Sequence, residues 1–184
     1  MADIKSAWEI AQEKAGRLGQ LSPEERERQR QDRCRVIGES LAEKYLNQHD
    51  IGIFKEELRN HSAQDKDLIN QAAVHRLIQD IKLQYPQVLT AISRGILILA
   101  DSVTATKTLD QIKELFQEYA EAENKEKQEI EKAGGEMLHQ LRISGTAISH
   151  LNIRAKEEWE KKLDQTAHPF DERLHRLNQE LQHR

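Results

Sequence analysis

Two Glu-x-x-His pairs are the residues of this sequence whose types and spacing best suit metal chemistry. Glu136 stands three positions before His139, and Glu172 stands three positions before His175. Residues three apart share one face of an α-helix, so each pair can offer a carboxylate and an imidazole to one metal ion. Ferritin-like di-iron bundles combine two such pairs with single glutamates from two other helices. One candidate function is therefore a carboxylate/histidine metal-binding bundle with oxidoreductase or storage activity.

The surroundings of these pairs favour a simpler interpretation. The chain is rich in glutamate and contains eight histidines, so such pairs arise readily by chance. The second pair falls in a polar helix, predicted at about Phe170 to Gln182, that has little apolar face to hold it inside a bundle. No Cys/His spacing fits structural zinc. We therefore expect solvated side chains at these positions and no bound metal or cofactor.

Nucleophilic catalysis has no better support in the sequence. Cys34, the single cysteine, begins an apolar stripe, which favours a half-buried structural thiol over a nucleophile. Gly134-Gly135 has neither a preceding strand nor a following Gly-Lys-Ser/Thr, so it indicates a hinge or a close helix crossing rather than a phosphate loop. No residue is predicted to be catalytic, and the sequence favours a non-enzymatic function.

Five arginines crowd into residues 26–35 and form a second candidate site. Arg26, Arg30 and Arg33 would present a basic surface, and Glu27 and Asp32 are the acidic residues of this window. The functional interpretation is a nucleic-acid or ribosome-associated factor. The alternative is an exposed helix with ion pairs along its surface, and this is favoured because no aromatic residue is interleaved to stack on bases.

A heptad pattern gives the strongest signal in the chain. Apolar residues recur at three- and four-residue intervals in one heptad register, first at Leu109, Ile112, Phe116 and Tyr119 and again at Ile130, Ala133 and Met137. Glu123 and Glu126 occupy the two central positions of this seam. Such a seam buries a narrow stripe against another helix. It predicts self-association and a scaffold, adaptor or assembly module acting through protein–protein contacts, the interpretation that we favour.

The composition is consistent with helices of this kind. The chain is 33% charged and 4% aromatic, with a mean hydropathy of -0.81 and a net charge of -4. The most apolar stretch, Ala91 to Ala100, is too short to span a membrane. Met1 to Leu18 has no apolar region typical of a signal peptide. We expect a cytoplasmic, all-α protein: a small helical bundle with long coiled-coil-like helices.

Capping residues and breakers predict where these helices begin and end. A first amphipathic helix covers about Ile4 to Leu18, with Ile4, Ala7, Trp8, Ala11, Ala15 and Leu18 on one face. Ser22-Pro23-Glu24-Glu25 is a capping box that opens the next helix. Thr108 and Gln111 form a second capping box, which should open the seam helix after a connector over Asp101 to Lys107. Thr166 to Pro169 should end a helix.

The predicted organisation has three parts within one cooperative domain. Residues 1–62 hold N-terminal helices, and residues 63–104 form a central apolar helical hairpin split at Tyr85-Pro86. Residues 105–184 hold the long seam helix and the C-terminal helices.

Two short stretches resemble a group of uncharacterised bacterial helical proteins. The first is Lys5-Ser6-Ala7-Trp8-Glu9-Ile10-Ala11, followed by Leu18-Gly19 and the Ser22 capping box. The second is the Ser144-Gly145-Thr146-Ala147 loop. The resemblance implies a soluble, mostly helical bacterial protein and brings no activity with it.

Overall fold

The computed structural model describes residues 22–100, 103–140 and 157–182, and 91% of these residues are helical with no strand among them. The helices within this part of the chain are α1 (Pro23–Gln48), α2 (Gly52–Arg59), α3 (Ala63–Gln79), α4 (Leu89–Ala100), α5 (Val103–Gln140) and α6 (Glu157–Gln182). A short 3₁₀ turn, Pro86–Val88, leads into α4. The predicted all-α fold is therefore confirmed. The predicted helix over Ile4 to Leu18 and the loop at Ser144 lie outside the described residues.

The predicted capping box at the start of α1 is confirmed. The Ser22 hydroxyl accepts from the backbone N–H of Glu25 at 3.1 Å, and the Glu25 carboxylate accepts from the Ser22 N–H at 2.7 Å. Pro23 occupies the first turn, where a missing N–H costs nothing. Two otherwise unpaired donors are satisfied, so the helix begins here although its first turns bury no apolar side chain.

Helices α1 and α3 run parallel and approach each other closely. Arg30 pairs with Asp65 near the start of both helices, and Glu43 pairs with Arg76 near their ends. Between these pairs, a Cβ atom added at Gly38 would lie 2.6 Å from Cβ of Ala72. The parallel arrangement requires a return connection, which α2 provides.

The bundle core forms where α4, α5 and α6 pack onto this pair. The Tyr45 hydroxyl on α1 donates to the Ala91 carbonyl oxygen on α4 at 2.7 Å. A Cβ added at Gly95 would lie 2.7 Å from the Tyr45 ring, so α4 also approaches α1 closely. One apolar cluster runs from Cys34 on α1 to Leu181 on α6 and includes buried residues from every α-helix named above.

Helices α5 and α6 pack side by side in opposite directions. Arg173 pairs with Glu118 at 2.6 Å, and Lys162 lies 4.0 Å from Glu126. As the residue number rises along α5, the number of its partner on α6 falls, which defines an antiparallel hairpin.

The predicted start of the seam helix is wrong. Helix α5 begins at Val103, within the expected connector, and Thr108 lies inside the helix rather than at its cap. Its hydroxyl donates to the Thr104 carbonyl oxygen at 3.2 Å, and the residue is 2% exposed. Because Ala105 is also buried, packing holds the first turn in place, and no cap is needed at Thr108.

The predicted break at Thr166 to Pro169 is also wrong, because α6 continues through Pro169. A proline inside a helix costs about 3 kcal/mol. The apolar stripe spans this point, since Trp159 lies before it and Phe170, Leu174 and Leu181 lie after it. Burial of this continuous stripe outweighs the lost hydrogen bond. Helix α5 likewise continues through Gly134-Gly135, and α3 ends at Gln79, before the split expected at Tyr85-Pro86.

Candidate interaction surface

The first half of the seam on α5 is buried within the chain itself. Leu109 and Ile112 are completely buried, and Phe116 is 7% exposed. Tyr119 packs its ring against Phe170 of α6, with 5.5 Å between ring centroids. The residues predicted to join two copies therefore contact α6 and the bundle core of the same chain. A second copy could reach them only if this hairpin opened.

The second half of the seam extends past the bundle core. Ile130 is 1% exposed and Trp159 is 9% exposed, yet neither belongs to the main apolar cluster. The antiparallel register places Trp159 level with Ile130, because Lys162 lies beside Glu126. Met137, the last seam residue, is 38% exposed. These residues belong to a segment that we call the distal hairpin, residues 120–140 of α5 with residues 157–169 of α6.

Glu123 and Glu126 interrupt the seam inside the distal hairpin, as the sequence indicates. Both side chains are half-buried between the Tyr119–Phe170 ring contact and the level of Ile130. Glu123 pairs with Lys127 at 2.9 Å along α5, and Glu126 faces Lys162 across the hairpin. The two apolar parts of the seam are thus separated by a polar layer, and the distal part has only a small apolar contact of its own.

The distal hairpin carries a strong excess of negative charge. It contains ten Asp or Glu residues and five Lys or Arg residues, a net charge of -5, whereas the whole chain has a net charge of -4. Eight of these ten acidic residues are exposed. The rest of the chain is therefore nearly neutral, and the negative field of the protein is concentrated on this extension.

The two Glu-x-x-His pairs do not come together. Glu136, His139, Glu172 and His175 are all exposed. Glu118 lies beside Arg173, so the pair on α6 is level with a point on α5 about 18 residues before Glu136, which is roughly 27 Å along the helix. No group of three or more His, Cys, Asp or Glu side chains is placed to hold a metal ion in the described ranges. This geometry argues against the ferritin-like interpretation.

The arginines of α1 do not form one free basic surface. Arg30 donates to Asp65 of α3 at 2.6 Å and also pairs with Glu27, while Arg35 pairs with Asp32. Hydrogen bonds from the Ser62 hydroxyl and the Arg30 guanidinium lower the pKa of Asp65 to about 2. Arg30 therefore has a structural role in joining α1 to α3. Arg26, Arg28 and Arg33 are exposed, so the predicted basic surface keeps Arg26 and Arg33, whereas Arg30 is engaged by Asp65.

Cys34 lies beside the same carboxylate. It is 4% exposed, and its thiol points at Asp65 Oδ1, 3.7 Å from Sγ. Burial, together with the nearby carboxylate, raises the pKa of the Cys34 thiol. A raised pKa leaves little thiolate at neutral pH, so this side chain is suited to packing and not to nucleophilic attack.

Sequence reasoning missed Asp65 as an organising residue, and it left open whether Trp159 anchors the core or an interface. Asp65 follows Ser62 by three positions, which is a capping signal. Its long-range contacts with Arg30 and Cys34 cannot be predicted from the local sequence. Trp159 could have been assigned to the seam partner from its four- and seven-residue spacing to Leu163 and Thr166.

Comparisons with known protein families, with curated proteins and with solved structures find no match to this chain. Among the described residues, no helix is both long enough and apolar enough to cross a membrane.

Proposed function

We propose that this protein is a non-enzymatic helical scaffold or adaptor that binds a basic protein surface through its distal hairpin. One observation carries the proposal: a net charge of -5 is concentrated on a helical extension that lies outside the main core. A rigid, charged extension attracts a partner of opposite charge and raises its association rate. The antiparallel helix pair provides the rigidity, because α5 is continuous from the core to Gln140.

The nature of the surface argues for a partner other than a second copy. Two hairpins of net charge -5 repel each other at close range. The seam that would otherwise join copies is already covered by α6. A homo-oligomer remains part of the proposal only through surfaces outside Leu109, Ile112 and Phe116. We further propose that the protein acts in the cytoplasm, as its low cysteine content suggests.

Charge reversal on the distal hairpin tests this function. The variant Glu129→Lys/Glu131→Lys/Glu136→Lys changes three exposed side chains. The matched control Glu56→Lys/Glu114→Lys/Glu180→Lys makes the same change in net charge at three exposed positions outside the hairpin. Wild type and both variants would be used as baits in extracts of the source organism treated with nuclease, with bound proteins compared by mass spectrometry.

We expect basic proteins that bind the wild type and the control, release with added salt, and are lost from the hairpin variant. The salt dependence follows from screening of charges across the interface. If the hairpin variant retains the same proteins as the wild type, the acidic extension is a solvated face and the proposal fails.

A further inference from the structure

Helix α6 has two groups of apolar anchors, one on each side of Pro169. Beyond the proline, Leu174 and Leu181 belong to the main apolar cluster of the bundle. Before the proline, Trp159 is buried and Leu163 is half-buried, but neither side chain belongs to that cluster. The two ends of α6 are therefore held by different parts of the molecule.

The backbone hydrogen bonding of α6 is weakened at the boundary between these two groups. Pro169 has no N–H, so the carbonyl oxygen of Gln165 loses its helical donor. Nearby, the Thr166 hydroxyl donates to the Lys162 carbonyl oxygen at 3.0 Å. A hydrogen bond of this kind competes with the backbone ladder and often bends a helix. The proline thus lies at the weakest link that the sequence builds into α6.

The contact between α5 and α6 is also weak at this boundary. Phe170, next to the proline, meets Tyr119 on the side of the core. The polar layer of Glu123 and Glu126 follows on the outer side. Lys162 lies 4.0 Å from Glu126, and its side chain is 56% exposed. An ion pair this exposed contributes little to stability, so the two helices are held only loosely across the polar layer.

Residues 157–168 of α6, which we call the strap, are too few to form a stable helix alone. An isolated helix shorter than about 12–15 residues is only marginally stable in water. The strap therefore stays helical because Trp159 and Leu163 pack in the distal hairpin. Helix α5 differs, because it runs without a proline from the core to Gln140. Release of the strap would leave α5 in place.

We propose that the strap is a hinged element, which releases from α5 at Pro169 as one unit while the rest of the described bundle stays folded. Local opening of this kind occurs where few apolar contacts are buried. Release uncovers Ile130 together with Trp159 and Leu163. The closed distal hairpin presents mainly charge, and the open form adds an apolar stripe to that surface. This inference concerns the motion of the distal hairpin and not its partner, so it stands or falls separately from the proposed function.

Hydrogen exchange of the full chain, measured at single amides by NMR, tests the hinge. Amides of residues 161–168 report the strap, because their helical acceptors lie within it. Amides of residues 173–178 report the anchored part of α6. We expect one shared protection factor across residues 161–168, at least about tenfold below that of residues 173–178. Low concentrations of urea should change the exchange of the strap little, since its opening exposes little surface.

Two variants should hold the strap closed. Pro169→Ala restores the missing donor, and Glu126→Leu joins the two apolar parts of the seam, so each should slow the exchange of the strap severalfold. The matched control Glu121→Leu makes the same change at an exposed position of α5 and should leave that exchange unchanged.

Three results would overturn the hinge. The strap could exchange as slowly as residues 173–178, which would mean that α6 opens only with the core. Its protection could rise steadily from residue 161 to residue 168, which would show progressive fraying instead of release as a unit. Finally, the strap could be insensitive to both Pro169→Ala and Glu126→Leu, or equally sensitive to Glu121→Leu, and the boundary at the proline would then not control its opening.

Discussion

Asp65 shows how one side chain joins two helices of the bundle. Its backbone N–H donates to the capping hydroxyl of Ser62, and its carboxylate accepts from Ser62, Arg30 and Cys34. The same group therefore fixes the start of α3 and ties it to α1. Because these hydrogen bonds favour the ionised carboxylate, they link the stability of the α1–α3 contact to pH.

We predict that Asp65→Asn destabilises the protein at neutral pH and not in strong acid. The folded protein lowers the pKa of this carboxyl from 3.8 to about 2. Because its pKa is lowered on folding, the carboxylate stabilises the folded protein above pH 3.8 and loses that contribution as the pH falls toward 2. Urea midpoints would be measured from pH 7 down to pH 2. The midpoints of wild type and variant should differ most near pH 7 and converge near pH 2.

Asp67→Asn is the control for this titration, since it removes an exposed carboxylate two positions further along α3. Its urea midpoint should follow the wild type throughout. A constant difference between Asp65→Asn and wild type at every pH would show that the Asp65 charge does not stabilise the fold.

At the scale of elements, the crossing of α1 and α3 depends on the absence of a side chain at Gly38. A Cβ there would overlap the carbonyl oxygen of Ile69 and crowd Cβ of Ala72 and the backbone nitrogen of Ala73. Backbone atoms cannot move aside as a flexible side chain can. The close approach of the two helices thus requires glycine for packing, and not for an unusual backbone conformation.

We predict that Gly38→Ala and Gly135→Ala change stability in opposite directions. Overpacking at Gly38 should cost about 1–3 kcal/mol of unfolding free energy, because the two helices must separate. At Gly135 an added Cβ meets nothing within 4 Å, so alanine should stabilise α5 by about 0.5–1 kcal/mol through its higher helix propensity. Chemical denaturation of both variants measures the difference. Equal changes in unfolding free energy at the two positions would mean that α1 and α3 leave room for a methyl group at Gly38.

At the scale of the whole molecule, the long helix pair has two halves that differ in burial and in charge. Its inner half, up to Phe116 on α5, belongs to the main core, while its outer half carries most of the negative charge of the chain. The polar layer at Glu123 and Glu126 separates them. The inner half therefore contributes to the core, and the outer half is the part that we propose binds a basic partner.

We predict that Phe116→Ala lowers stability without changing the native mass. Removing a large buried aromatic side chain leaves a cavity and should cost about 3–5 kcal/mol. Since Phe116 contacts its own chain, light scattering under native conditions should give the wild-type mass while the thermal midpoint falls. A reduced mass with an unchanged midpoint would instead locate the seam between copies.

The sequence by itself determined the helical class, the start of α1 and the buried faces of the helices. The Ser22 capping box and the burial of Ile69, Ala73 and Leu77 on one face of α3 follow from local hydrogen bonding and a 3.6-residue period. These interactions involve residues a few positions apart, so they can be predicted without the tertiary structure. Local signals were wrong at Thr108 and Pro169, where burial outweighs capping and breaking.

Only the tertiary structure decided what each face meets. A heptad stripe shows that a helix face is buried but not which element covers it, and here α6 packs against α5 within the same chain. The sequence around Arg30 does not indicate that its partner is Asp65, which lies 35 positions further along the chain. The wide separation of the Glu-x-x-His pairs follows from the antiparallel register of α5 and α6. The arrangement of the helices sets such distances, and that arrangement depends on burying the apolar faces of all the helices at the same time.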